Sequence, residues 1–215
     1  MMKLYACTTV GGTRYLKEWF QGIMKLKPEY LVICRDIDRS EGLEMAENTM
    51  ILEYHSRRPW KGYDQRHENW ESDYSILMGI ELLMKDFIGS DATHFLHVDS
   101  DVILSKRAAE VIRGTNWDYL KIFIMVIPRE LNEDERKHWK EHLGAFGDNS
   151  CFGLSRRMVK QCLTRIPELY NKPYPVDINL HKIFSEEFRK IQKCSYAEVR
   201  GLGVAHYVMG ERVVF

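Results

Sequence analysis

The chain carries no excess of either charge: 31 lysines and arginines stand against 31 aspartates and glutamates in 215 residues. That balance leaves no global field to draw in nucleic acid or anionic lipid. It also lacks any Cys-x-x-Cys pair. Its five cysteines (Cys7, Cys34, Cys151, Cys162, Cys194) are odd in number and widely scattered, which argues against a zinc ribbon or a thioredoxin-like site. Three of them sit in apolar or strand-like runs and read as small core residues. No apolar stretch approaches the ~18 residues that span a bilayer, and Met1 to Thr9 alternates like a strand, too short for a signal peptide. Internal repeats and low-complexity tracts are missing as well. A soluble, reduced, cytoplasmic protein without a transmembrane segment or a nucleic-acid partner is expected.

What is present reads as one domain by length. Lys3 to Thr8 is strand-like, Gly11-Gly12 turns, and Leu16, Trp19, Phe20, Ile23 and Met24 recur at helical spacing until Pro28. A second strand runs from Tyr30 to Cys34, a short helix is expected over 41–50, and a third strand from Met50 to Tyr54. Trp70, Tyr74, Leu77, Met78 and Leu82 mark a long helix to about Lys85, and Thr93 to Val98 reads as a buried strand. After a helix over 105–113, Tyr119 to Ile127 is apolar and stops at Pro128. Residues 129–143 are densely charged and read as a solvated helix or lid. Ser150 to Leu154 is a short strand, with Ser155 capping a helix to Arg165. Asp177 to Lys190 is the last clear helix, and strands are expected at Tyr196–Val199 and Val204–Tyr207. Alternating strands and helices predict a mostly parallel sheet built from right-handed crossovers.

The most informative residues are Asp99-Ser100-Asp101, directly after the buried strand. In an extended segment residues i and i+2 point to one side, so both carboxylates can converge. A strand, an acidic turn and a helix starting after Ser105 describe the carboxyl edge of an open α/β sheet, where ligands of such folds sit. Two hard oxygen donors there suit Mg²⁺ or Mn²⁺ bound together with diphosphate oxygens. Haloacid-dehalogenase phosphatases place such acids after their first strand, which here ends in Cys7-Thr8-Thr9.

Taken in order, these motifs resemble the GT-A-fold, nucleotide-sugar-dependent glycosyltransferases, particularly their small family-2-like members. The similarity runs over nearly the whole chain: a strand ending in an acid (Asp36), the Asp99-Ser100-Asp101 turn, the pair Asn149 to Arg156, a helix opening on Asp177, and a late His206. The resemblance implies a GT-A (Rossmann-like) open mixed sheet, mostly parallel, with flanking helices. It divides residues 1–215 into a nucleotide-binding half (1–104) and an acceptor-side half (105–215).

It also implies roles. Asp36 would contact the nucleotide base or ribose, with a surface-turn acid as the alternative, and Thr8 and Thr9 could hydrogen-bond the base. Asp99 would bind ribose or metal, Ser100 would join the nucleotide side, and Asp101 would bind the metal directly. His206 would be a third ligand, which favours Mn²⁺ over Mg²⁺; a core histidine is the alternative. Among the cations of segment 55–67 (Arg57, Arg58, Lys61, Arg66), Arg66 is preferred for gripping diphosphate. Asp177 would be the general base of an inverting transfer, although Val176-Asp177 departs from the usual Glu-Asp, which leaves a retaining mechanism open, and an N-cap role also suits it. His97 reads as structural, and Trp60, Trp70 and Trp139 could stack on sugars. The function so implied is metal-dependent sugar transfer from a nucleotide-diphosphate sugar to the hydroxyl of a glycan, lipid or protein acceptor. A sugar nucleotidyltransferase, suggested by Gly11-Gly12-Thr13-Arg14, and a non-catalytic nucleotide-sugar-binding protein are the alternatives.

Overall fold

The computed structural model describes residues 2–10, 16–38, 49–56, 70–100, 102–122, 151–171, 176–199, 205–208 and 211–213. Along the chain run β1 (Leu4–Val10), α1 (Leu16–Ile23), β2 (Tyr30–Asp36), β3 (Met50–Tyr54), α2 (Trp70–Gly89), β4 (His94–His97), β5 (Val102–Ile103) and α3 (Lys106–Gly114). Then come β6 (Tyr119–Ile122), β7 (Phe152–Ser155), α4 (Arg156–Leu163), α5 (Val176–Lys190), β8 (Tyr196–Val199), β9 (Ala205–Val208) and β10 (Glu211–Val213). The helix expected over 41–50, the charged stretch 129–143 and the end of the 119–127 strand fall wholly or largely outside the described residues.

Seven strands form one sheet in the order β3-β2-β1-β4-β7-β6-β8. Every neighbouring pair is parallel except β4–β7 and β7–β6. Only β7 is therefore reversed. This is the open, mostly parallel α/β architecture expected from the sequence. β1 is buried along its whole length, as a central strand covered on both faces must be. Its alternate residues divide between two cores. Leu4 and Ala6 join Trp19, Ile23, Ala108 and Ile112 under α1 and α3. Tyr5 and Cys7 join Leu77, Phe87, Met158, Leu180 and Phe184 under α2, α4 and α5. All five cysteines are free, and four are buried. No described helix is long and apolar enough to cross a membrane.

Of a second, three-stranded sheet of order β10-β9-β5, the sequence reading had β9, expected at Val204–Tyr207, but neither β5 nor β10. Two-residue β5 is too short to leave a periodic signal.

The amino-terminal side of the large sheet is fastened by the half-buried Arg156 and the buried Asp118. Arg156 donates to the carbonyls of Ile88 (3.0 Å), Phe87 (3.2 Å), Ser90 (2.6 Å) and Ala92 (2.6 and 2.8 Å), closing the end of α2. Its guanidinium lies 4.9 Å from the centre of the Phe87 ring. Arg156→Met keeps the apolar stem and strands these carbonyls. A loss of roughly 2–4 kcal/mol in urea unfolding is expected, since hydrogen bonds to charged groups contribute about 1.5–3 kcal/mol each and do not add fully. An unchanged midpoint would contradict this.

Asp118 fastens the same side. It accepts from Arg157 Nε (2.7 Å), from Ser195 N (2.9 Å) and Oγ (3.1 Å), and from Ser155 Oγ (2.7 Å). Ser155 precedes α4 as expected, but its hydroxyl makes no capping bond. Ser105, by contrast, accepts from Ala108 N at 3.0 Å and caps α3 as expected. Burial opposes ionisation of Asp118, yet the bonds from Arg157, Ser155 and Ser195 prevail and hold its carboxyl well below the usual carboxylate range. A depressed folded pKa gives stability that is fully present above the unfolded value of about 3.9 and lost as pH falls below it. The acid limb of the stability profile is therefore expected to be shallower in Asp118→Asn than in the wild type, with urea midpoints at pH 5 and pH 2.5 as the check. Equal limbs would remove Asp118 from the account.

Candidate active site

Chain order places β2 and β3 on one side of β1 and β4 on the other. The sheet thus changes its direction of growth between β1 and β4. In open α/β sheets the crevice at such a switch, beyond the carboxyl ends of the strands, is where ligands bind. β1 ends there in Thr8, Thr9 and Val10, and β4 ends in His97 with Val98, Asp99 and Ser100 following.

The peptide ahead of Asp99 is fixed on both sides. Val98 donates its N–H to the Cys7 carbonyl at 3.0 Å and accepts from Trp19 Nε1 at 2.9 Å. Val102 N then donates to the Asp99 carbonyl at 3.0 Å. Asp99 and Ser100 therefore stand in a turn, as the acidic turn of the sequence reading has it. Asp101 itself lies outside the described residues. Beyond the turn, Lys25 Nζ donates to the Leu104 carbonyl at 2.9 Å. A Cβ on Gly22 would meet Leu104 N at 2.8 Å, so only glycine lets α1 approach this backbone so closely.

Beyond Asp101, Val102 pairs with His206 and Ile103 with Ala205 in the antiparallel β5–β9 ladder. Residues directly opposite in such a ladder have Cα atoms about 4.5–5.5 Å apart. His206 is thus placed by its backbone one residue from the acidic turn, although 107 positions separate it from Asp99 in the sequence. Among the described residues no three His, Cys, Asp or Glu side chains form a metal-holding group.

Thr9 and His97 meet at the crevice floor. Thr9 Oγ1 lies 3.5 Å from His97 Nε2, and His97 Nδ1 lies 3.6 Å from Asp99 Oδ1. A Cβ on Gly79 of α2 would stand 2.7 Å from Thr9 Cγ2 and 3.1 Å from the Tyr54 hydroxyl. That glycine sets the spacing of α2 from the ends of β1 and β3. Thr8 is fully buried, with its hydroxyl donated to the Thr9 carbonyl at 3.2 Å.

Asp36 is 1% exposed, which excludes the surface-turn alternative. Its Oδ1 accepts from Asp38 N (3.1 Å) and Ser56 N (3.3 Å), and its Oδ2 from Ser75 Oγ (2.6 Å). Tyr54 donates its hydroxyl to the Ser75 carbonyl at 2.7 Å. The Asp36 carboxylate thus ties the exits of β2 and β3 to α2. Asp38 lies beside His55, with Oδ1 3.2 Å from Nδ1.

Asp177 is the second residue of α5, inside its first turn. There its carboxylate meets the positive end of the helix. The aromatic face of α5 packs on β7 and β6. His181 and Phe184 touch Phe152 (centroids 5.9 and 4.7 Å), which is paired with His97 at the carboxyl edge. Phe188 touches Tyr119 (6.0 Å) at the start of β6. His181 and Phe184 touch Tyr119 as well, with centroids 5.8 and 6.1 Å away, so α5 lies across both β7 and β6. Two groups escaped the sequence reading: His181, 6% exposed and bonded to the Tyr119 hydroxyl, and the His97 contacts. The Asp177–His181 spacing of one helical turn was the available signal for the first. Arg66, Trp60, Trp139 and the Gly11–Arg14 loop lie outside the described residues.

No family model and no curated protein matches the chain. Among solved structures it is similar to Rv0371c from Mycobacterium tuberculosis H37Rv, at 8% identity over 92% of this chain and 87% of that one, with a TM-score of 0.46. It is also similar to a glycosyltransferase involved in glycosylation of the major capsid of PBCV-1, at 10% identity, 92% and 81% coverage, and a TM-score of 0.46. A third likeness is to a Bacillus anthracis protein assigned as a glucose-1-phosphate thymidylyltransferase, at 11% identity, 94% and 89% coverage, and a TM-score of 0.49.

Proposed function

We propose that the chain is a divalent-cation-dependent glycosyltransferase that moves a sugar from a nucleotide-diphosphate sugar to an acceptor hydroxyl with inversion. The observation that supports this most is the convergence of Thr9, His97 and Asp99 at the switch between β1 and β4. Carboxylates of Asp99 and Asp101 with the imidazole of His206 make a mixed oxygen and nitrogen donor set, which fits Mn²⁺ better than Mg²⁺. A cation held there would supply charge neutralisation to the departing diphosphate.

In this reading Thr9, Asp99 and Ser100 contact the nucleotide and Arg66 grips the diphosphate. Thr8 and Asp36 line the nucleotide side from within, holding the strand exits. Asp177 takes the proton of the acceptor hydroxyl as its oxygen attacks the anomeric carbon. The new carbon–oxygen bond forms as the bond to phosphate breaks, and the electron pair leaves with the diphosphate. The acceptor is a glycan, lipid or protein, and the reaction is assigned to the cytoplasm. Incubation with a panel of nucleotide sugars should release nucleoside diphosphate slowly, by transfer to water, with Mn²⁺ present and not with EDTA. Absence of release from every donor would contradict the reading.

A further inference from the structure

We propose that His97 is a positioning residue for Asp99, holding that carboxylate through Nδ1 while Thr9 holds the other ring nitrogen. The inference rests on the reading of Asp99 as a ligand of cation and nucleotide given above. An imidazole inside a buried strand is costly unless its polar atoms are matched. His97 is 1% exposed, in the middle of the sheet between β1 and β7. Its ring lies against Phe152 with centroids 5.3 Å apart and planes at 22°, across the register pair that joins β4 to β7. This stack fixes the ring plane.

In that plane the two nitrogens face different partners, Thr9 Oγ1 at 3.5 Å and Asp99 Oδ1 at 3.6 Å. A neutral imidazole has one N–H, an ionised carboxylate only accepts, and a hydroxyl does either. Of the two neutral tautomers, the one that suits both contacts carries the proton on Nδ1, facing Asp99, with the Thr9 hydroxyl donating to Nε2. Thr9 is in turn confined by α2, whose Gly79 leaves no room for a methyl group beside the Thr9 methyl. A chain of fixed groups therefore runs from α2 through Thr9 and His97 to Asp99. The Asp99 side chain remains 31% exposed, steadied from inside and open to the crevice. Both contacts stand at the long end of hydrogen-bond distance.

Three substitutions separate this role from simple packing. Asn at position 97 keeps an N–H where Nδ1 stood, Gln carries its amide toward the Nε2 side, and Leu removes both. With nucleoside diphosphate and Mn²⁺, His97→Leu and His97→Gln should bind roughly 10–100-fold more weakly, as loss of a group orienting a metal ligand does. His97→Asn should stay near the wild type. Unfolding midpoints of the metal-free proteins, which need not follow this order, report the packing contribution. Wild-type affinity in the Leu variant, or an equal loss in Asn and Gln, would overturn the inference. Absence of nucleotide binding by the wild type would overturn the reading beneath it as well. Long-range ¹H–¹⁵N spectra of the metal-free wild type give a second readout independent of any ligand. The Nδ1–H tautomer is expected for His97, and the Nε2–H tautomer would contradict the assignment.

Discussion

Asp177→Asn is expected to leave donor binding nearly intact and to lower the rate of sugar transfer by roughly 10²–10⁴-fold, the usual contribution of a general base. The expectation follows from the proposed role of Asp177 as the base. The helix meets Phe152 with His181 and Phe184, and Phe152 is the register partner of His97 in β4. Asn matches Asp in size and cannot take a proton. A purely structural carboxylate at this position would act on the positive end of the helix. Its loss would then cost about 0.3–1 kcal/mol of stability and leave the rate alone. Single-turnover transfer rates alongside donor titrations separate the two. Transfer by the variant at the wild-type rate would show that another group accepts the proton.

Asp101→Asn should have an equally large effect on a different quantity. The substitution removes one charged oxygen donor and preserves shape. The flanking turn is closed by backbone atoms of Asp99 and Val102, which the change does not touch. Cation-dependent binding of nucleoside diphosphate should fall below detection while the unfolding midpoint stays at the wild-type value. Retained binding would remove Asp101 from the ligand set. A lowered midpoint with lost binding would mean that the side chain supports the turn itself.

Much of the fold was legible because it rests on local pattern. The β1, β2, β3 and β4 runs, the long α2 and the cap at Ser105 are all written in residue type and period. The reversal of β7 was not, because a strand buried on both faces reads the same in either direction. All four residues of β7 are buried. The site was legible as a motif and only partly as geometry. The acids of Asp99-Ser100-Asp101 stand out by type, yet the pairing of Val102 with His206 comes from β9 at the far end of the chain. Asp36 was visible as an acid at a strand end. Its burial comes from Ser56 and Ser75, 20 and 39 residues away, and no local pattern encodes that convergence. Asp118 and His97 were hidden for the same reason: their partners come from strands and helices distant in sequence.

The central claim is that the crevice between β1 and β4 holds a nucleoside diphosphate through a divalent cation. Thermal unfolding of the wild-type chain, with nucleoside diphosphates in Mn²⁺ and again in EDTA, tests it most directly. Ligand at about 100 times its dissociation constant adds roughly 2.7 kcal/mol to the folded state. The account predicts a clear rise in the midpoint with at least one nucleoside diphosphate when Mn²⁺ is present, and none in EDTA. No rise with any of them, or a rise that EDTA leaves unchanged, would contradict it.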